Sequence, residues 1–173
     1  MIRHAIFAAP LLLLACAPLG PVDTASLPRG TVEGAGDPTR AAILSASTSF
    51  APRGTPAARP AVMARTLANL EFLVVNTANN PLLDNAPATL QSQLLAARAE
   101  WRAALGIPPG TPAQEAVNRL YAISRALDGG QASADPATAA RLMALPALPQ
   151  TAAAAASAAE ALRSRNSQGQ PIR

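Results

Sequence analysis

At four points in this sequence an aspartate or a threonine stands directly before a proline, namely at Asp37-Pro38, Thr55-Pro56, Thr111-Pro112 and Asp135-Pro136. The side chain of Asp or Thr accepts hydrogen bonds from the free amides of a helix's first turn. Proline fits the first helical position because its missing N–H would have no partner there. The four pairs therefore predict four helix starts and divide the chain into short helices. Thr111 and Gln114 also have the spacing of a capping box.

The spacing of the apolar residues predicts the helices that follow these starts. We expect a first helix over 38–49 and a second over 57–78. The second becomes regular after Pro60 and carries its apolar stripe on Met63, Leu67, Leu70 and Val74. Residues 72–75 could instead form a strand, although the sequence shows no partner strand for them.

A third helix is expected over 87–105 and a fourth over 112–128. Their apolar stripes are Leu90, Leu94, Ala97, Trp101 and Leu105 in the third, and Ala116, Leu120, Ile123 and Leu127 in the fourth. Only the short, proline-containing segment 106–111 joins them. Because so short a connection favours antiparallel neighbours, the third and fourth helices are expected to pack on each other as the best-defined unit of the fold.

Alanine dominates the C-terminal part of the chain. Of the 173 residues 43 are alanine, which is half of all the apolar residues, and only 3% are aromatic. A brief helix over 136–145 precedes an alanine-rich segment over 151–165 that is helical by propensity. Since only Leu162 offers a large apolar side chain there, the sequence leaves open whether this last helix packs on the domain. The pattern as a whole predicts an all-α fold, a small irregular bundle of four to five helices.

Composition excludes most common kinds of active site. All 14 basic residues are arginine, so the chain has no lysine for a Schiff base or a phosphate loop. His4 is the only histidine and Cys16 the only cysteine. A chain that loses residues 1–15 therefore has no imidazole for a catalytic triad or a metal site. The ten acidic residues stand singly, which leaves only a pair of carboxylates brought together by folding. We expect no enzyme, no metal and no cofactor.

The N-terminus has the form of an export signal. Arg3 precedes an apolar stretch from Ala5 to Ala15, which is too short to span a bilayer because a spanning helix needs about twenty residues. A short basic segment followed by such a stretch is typical of a secretory signal peptide. Two alternatives stay open, namely cleavage after the small residue Ala17, which Pro18 would hinder, and an uncleaved N-terminus.

The residues Leu13, Leu14, Ala15 and Cys16 close this stretch. The segment resembles the lipobox of bacterial lipoproteins, in which the signal peptidase recognises the three residues before an invariant cysteine. The resemblance covers residues 1–16 only. It implies that Cys16 is acylated, becomes the first residue of the mature chain and anchors the protein in a membrane.

The residue after the cysteine, Ala17, indicates in which membrane the protein is finally anchored. In the best-known sorting rule for lipoproteins an aspartate at this place retains the protein in the inner membrane, so alanine implies the outer membrane.

The resemblance and the helix pattern together divide the chain into a signal peptide (1–15), the lipidated cysteine with a flexible tether rich in proline and glycine (16–36), a helical domain (37–165) and a disordered tail (166–173). The alternative for the tether is an ordered arm that packs on the domain.

Two arginines of the predicted helix pair are candidate binding residues. In an antiparallel pair that closes at 106–111, Arg102 lies level with Glu115, and Arg98 lies roughly level with Arg119. Arg98 and Arg119 could therefore form an anion site for a lipid headgroup or an acidic partner, because guanidinium groups fit phosphate and carboxylate. The alternative is that both point apart into water.

The tryptophan and the asparagines are expected to have structural rather than binding roles. Trp101 lies on the apolar stripe of its helix and is expected in the core rather than in a ligand groove. The asparagines at Asn76, Asn79, Asn80 and Asn85 are expected to satisfy backbone groups at helix ends rather than to bind a sugar.

These observations predict a membrane-anchored lipoprotein of the cell envelope, facing the periplasm, with a structural or protein-interaction role. The expected partners are the membrane, through the N-terminal lipid, and an envelope protein. The net charge of +4 comes without a run of basic residues interleaved with aromatics, so nucleic acid is not an expected partner. Two alternatives remain, a module that binds an apolar or lipidic ligand between its helices and a carboxylate-based enzyme.

Overall fold

A computed structural model of the chain describes residues 22–30, 36–51, 59–78 and 80–167. Within these ranges it holds no strand, one short 3-10 turn and six α-helices. The helices are α1 (Pro38–Ser49), α2 (Pro60–Asn76), α3 (Leu90–Leu105), α4 (Ala113–Asp128), α5 (Pro136–Met143) and α6 (Pro149–Ser167). The predicted all-α class is confirmed. Residues 72–75, for which a strand was the alternative, lie inside α2.

Two of the four predicted helix starts are formed as expected. Asp37 caps α1 by accepting hydrogen bonds from the amides of Thr39 and Arg40 at 2.7 and 3.1 Å, and Asp135 caps α5 by accepting from the amide of Thr138 at 3.1 Å. The pair at 55–56 lies outside the described residues.

The start of α4 differs from the prediction. Thr111 makes no capping bond, and the amide of Ala113 donates instead to the carboxylate of Asp23 at 2.8 Å. The side chain of Gln114 binds Ser26, so the predicted capping box is wrong. A carboxylate from a distant part of the chain takes the place of the local threonine hydroxyl.

The central helix is α2, which packs against α1, α3, α4 and α5. Every residue from Thr66 to Val74 is buried. A helix that is buried on all sides takes partners on several faces. As a result α4 lies mainly along α2, while α3 packs mainly on α6. The expectation that the third and fourth helices form the main pair is therefore wrong.

The alanine-rich helix α6 packs on the domain, which the sequence left open. Its buried residues include Ala154, Ala155, Ala158, Ala159, Ala161 and Leu162, and it contacts α1 and α3. Glu100 of α3 binds its first turn, accepting from the Gln150 amide at 3.1 Å and from the Thr151 amide at 2.8 Å. The helix runs to Ser167, so two residues of the predicted disordered tail are helical, and residues 168–173 lie outside the described ranges.

Residues 22–30, which we call the arm, are packed on the helical domain. Ala25 and Leu27 pack against the core, and Asn76 donates to the carbonyl of Ala25 at 3.1 Å. The Ser26 amide donates to Gln114 at 2.8 Å. The prediction of a flexible tether over 16–36 is therefore wrong for this stretch, where the ordered alternative holds. The arm is fixed because its amides, carbonyls and Asp23 find partners in α2, α3 and α4.

No helix in the described ranges is long and apolar enough to cross a membrane. The predicted signal peptide (1–15), Cys16 and Ala17 lie outside the described residues.

The buried alanines of α6 generate the first prediction. Ala158→Leu should lower the free energy of unfolding by about 1–3 kcal/mol, because the added methylenes have no space in a closely packed interface. The matched control is Ala156→Leu on the exposed face of the same helix. It should change the free energy of unfolding by less than about 0.5 kcal/mol. Urea unfolding of the two variants measures both values, and equal effects would mean that α6 is not packed as described.

Candidate functional site

Glu71 lies fully buried in the middle of α2 and accepts four hydrogen bonds from α3. Its Oε1 accepts from Trp101 Nε1 at 2.8 Å and from Arg102 Nε at 2.7 Å. Its Oε2 accepts from Arg102 Nη2 at 2.8 Å and from Arg98 Nε at 2.9 Å. Trp101 and Arg102 follow Arg98 by three and four positions, so a helix places all three donors towards one face. We call this group, together with Asp23, the Glu71 network.

Arg102 also fixes the linker between α3 and α4. Its Nη1 donates to the carbonyls of Pro109 and Thr111, both at 2.8 Å, and the side chain is only 3% exposed. Both nitrogens at the end of the guanidinium and its Nε are therefore bound. The arginine that the sequence placed level with Glu115 binds Glu71 instead.

Asp23 of the arm completes the network. Its Oδ2 accepts from Arg98 Nη2 at 2.8 Å, and its Oδ1 accepts from the Ala113 amide at 2.8 Å. Burial raises the pKa of Asp23, but the Ala113 amide, the hydrogen bond from Arg98 and the charges of Arg98 and Arg102 outweigh it and hold the pKa below the usual value. The network thus contains two carboxylates and two guanidiniums, which balance in charge.

The predicted anion site of Arg98 and Arg119 is not formed. Arg98 binds Glu71 and Asp23, while Arg119 binds Asp135 and Thr138 of the α5 start. Each guanidinium is neutralised by a carboxylate of its own, so neither is left for an external anion. The alternative that both arginines point into water is wrong for the same reason.

Asp135 has two functions at the start of α5, because it caps the helix and pairs with Arg119. Burial raises the pKa of Asp135, but the hydrogen bonds from Arg119 and Thr138 and the positive charge of Arg119 outweigh it. The pKa falls from 3.8 to about 2. The carboxylate therefore stays charged under all but strongly acidic conditions.

A cleft of about 600 Å³ lies between the arm, α1, α2 and α4. We call it the arginine cleft, because its lining includes Arg29 of the arm, Arg65 of α2 and Arg125 of α4. Arg65 Nη2 pairs with Asp128 Oδ2 at 2.5 Å. Arg29 and Arg125 are exposed and have no hydrogen bond or ion pair with another described residue.

The floor of the arginine cleft holds a buried polar pair. The Tyr121 hydroxyl donates to Asn69 Oδ1 at 2.6 Å, and the two residues are only 4% and 7% exposed. The Nδ2 group of Asn69 has no hydrogen-bond partner among the described residues. It is therefore a donor near the floor of the cleft that remains available.

The remaining candidate residues have structural positions. Trp101 is fully buried in the core, as predicted, so it lines no ligand groove. Asn76 binds the carbonyls of Ala25 and Phe72, and Asn80 caps the 3-10 turn and binds Thr39. These two asparagines satisfy neighbouring polar groups, whereas the residue at position 79 lies outside the described residues.

The chemistry open to these residues is limited. In the described part of the chain, no three His, Cys, Asp or Glu side chains come together to hold a metal ion. Glu71 is enclosed and fully hydrogen-bonded, so it has no free lone pair for proton transfer. Another hollow, of about 210 Å³, is lined by Phe50, residues 145–149 and Ala152, and it is smaller than the roughly 300–1,000 Å³ of ordinary ligand pockets.

No known protein family matches this sequence, and neither the curated proteins nor the solved structures include one that is significantly similar to it.

Sequence reasoning missed the Glu71 network and the arginine cleft. One signal for the network was present, since Glu71 is the only ionisable residue between Arg65 and Asp84. A single carboxylate inside a long apolar helix needs a buried cation, and α3 carries two arginines four positions apart, Arg98 and Arg102. No comparable signal exists for the cleft, because its three arginines lie far apart in the sequence.

The network generates the second prediction. Glu71→Gln should lower the free energy of unfolding by about 3–5 kcal/mol, because it leaves buried guanidiniums without their counter-charge. The matched control is Glu160→Gln, which removes an exposed carboxylate paired with Arg163 at 2.9 Å and should cost less than about 1 kcal/mol. Urea unfolding of both variants is the measurement, and a loss as small as that of the control would contradict the network.

The low pKa of Asp135 generates the third prediction. The folded pKa lies below the usual value, so this group stabilises the fold above pH 4, and the contribution is lost as the pH falls from 4 towards 2. The stability difference between the wild type and Asp135→Asn should therefore shrink over that interval. Denaturant unfolding at a series of pH values measures it, and a difference that stays constant down to pH 2 would contradict the assignment.

Proposed function

We propose that this protein is a membrane-anchored lipoprotein of the cell envelope, and that its helical domain has a structural or protein-interaction role close to the membrane. The anchoring rests on the N-terminal segment that ends in Leu13, Leu14, Ala15 and Cys16. Ala17 favours the outer membrane, with the domain in the periplasm.

The packed arm is the observation that carries the proposal of a role close to the membrane. Asp23 binds Arg98 and the start of α4, so the chain is already attached to the helical domain at this residue. Six residues lead from Cys16 to Val22, and an extended chain advances about 3.3–3.6 Å per residue. An acylated Cys16 would thus hold the arm within about 20 Å of the lipid surface.

The state of the ionisable groups favours binding over catalysis. Glu71, Asp23 and Asp135 are each bound to an arginine, and Glu100 is bound to the start of α6. These four carboxylates stabilise the fold, and none of them is free to act as an acid or a base. A ligand between the helices has less support, because Trp101 and the stripe leucines of α3, Leu90, Leu94 and Leu105, are buried in the core.

The test of anchoring is Cys16→Ser, the fourth prediction. The wild type should incorporate labelled palmitate and begin at Cys16, whereas the variant should lose the label and accumulate as the uncleaved precursor, because serine has no thiol to acylate. The control Ala17→Ser keeps the cysteine and should be labelled and processed. Intact mass and palmitate labelling measure these outcomes, and a mature protein that begins at another residue would contradict the lipoprotein assignment.

The interaction role has a readout in the same strains. Because the chain has no lysine, cross-linking in cells uses a photoreactive residue at an exposed apolar position, with Leu44, Leu95 and Met143 as sites on three helices. The anchored protein should form a discrete adduct of higher mass from at least one site, and Cys16→Ser should not. An absence of adducts from all three sites would contradict a partner protein.

A further inference from the structure

We propose that the arginine cleft binds the phosphoryl group of a small organic phosphate. The inference goes beyond the proposed function and does not depend on the acylation of Cys16. It rests on charge, on the available donors and on the dimensions of the cleft.

The cleft carries an excess of positive charge. Three separate parts of the fold, the arm, α2 and α4, place Arg29, Arg65 and Arg125 around one opening. Asp128 offsets Arg65, and no carboxylate is among the described residues that line the cleft. Among the described residues no carboxylate pairs with Arg29 or Arg125, which distinguishes this place from the balanced Glu71 network.

The floor of the cleft adds neutral donors to this charge. The Tyr121 hydroxyl holds Asn69 Oδ1, which fixes the orientation of the Asn69 amide and leaves Nδ2 without a partner among the described residues. Asn69 is more than nine-tenths buried as a residue, yet its Nδ2 atom keeps some contact with solvent and can donate to a ligand in the cleft. This amide marks the floor as a binding surface.

Charge and shape together identify the class of ligand. A phosphate monoester carries a charge of about −1.5 to −2 at neutral pH and has three acceptor oxygens, which matches two free guanidiniums and one amide donor. A single carboxylate would neutralise only one of the arginines. Guanidinium groups bind phosphate through two parallel hydrogen bonds, which gives orientation as well as affinity.

The size of the cleft indicates that the phosphate carries an organic group. Its volume of about 600 Å³ lies within the range of roughly 300–1,000 Å³ for small-molecule sites. Leu27, Pro28 and Ala41 line it beside the arginines and offer apolar contact to the organic part. The phosphate could belong to a soluble ester or to a membrane lipid headgroup, and both share this chemistry.

The test is the fifth prediction and uses the mature protein purified in a neutral detergent. Glycerol 3-phosphate is titrated by calorimetry, with glycerol as the uncharged comparison. Arg125→Gln and Arg29→Gln should each weaken binding about tenfold or more, because each removes a charge-assisted hydrogen bond. The matched control is Arg163→Gln, which removes one charge from an exposed helical arginine on α6 and should leave the Kd within about twofold.

Two further readouts sharpen this test. Binding should weaken as the pH falls from 7.5 to 5, because the second phosphate pKa of about 6 removes one of its charges. The second readout compares vesicles of phosphatidylcholine with vesicles that also contain phosphatidic acid. If lipid headgroups reach the cleft, phosphatidic acid competes with glycerol 3-phosphate and raises its Kd. The Kd should stay the same if the ligand is soluble. Either result identifies the source.

Three outcomes would overturn the proposal. These are equal binding of glycerol and glycerol 3-phosphate, equal Kd values for Arg125→Gln and Arg163→Gln, and no heat of binding at about 10 mM ligand. Arg29 and Arg125 are exposed and have no partner among the described residues, so neither substitution should disturb folding. Circular dichroism of each variant verifies this.

Discussion

A charged carboxylate in the middle of the central helix is the constraint on which the rest of the structure depends. Glu71 has no exposed surface, and an isolated carboxylate in such a place would be very unstable. Its pairing with Arg102 and Arg98 fixes the rotation of α3 against α2. The same two arginines then bind the α3–α4 linker and Asp23. One buried charge thus helps to fix the positions of three segments, namely α3, the α3–α4 linker and the arm.

Local signals in the sequence predicted the helices, while the contacts between helices were beyond them. The bounds of α1, α3, α4 and α5 were predicted within about three residues, because caps and apolar periodicity are local properties. The helix on which α4 packs was not predicted, because the burial of α2 on all sides depends on the whole assembly. The packing of α6 could not be predicted either, since alanine suits both a solvated helix and a close interface. The contact that caps the first turn of α6 comes from Glu100, some fifty residues earlier in the chain.

The contacts of the arginines were likewise beyond what the sequence could predict. Arg98 and Arg119 were expected to bind an external anion, but both bind carboxylates of the chain itself. A pairing based on an assumed helix register could not reveal those partners. Arg29, Arg65 and Arg125 meet only because the arm lies along α4, and a segment rich in proline and glycine gives no sign of such packing in its sequence.

The packing of the arm also affects the order in which the protein can fold. Asp23 and Ser26 bind residues about ninety positions further along the chain. In the export that we propose, the arm would cross the membrane first, long before α4 has emerged. Since contacts between residues far apart in sequence form late, this first described segment is among the last to reach its native place. Until then Ala113 lacks its carboxylate partner, and Arg98 has only Glu71 as a counter-charge.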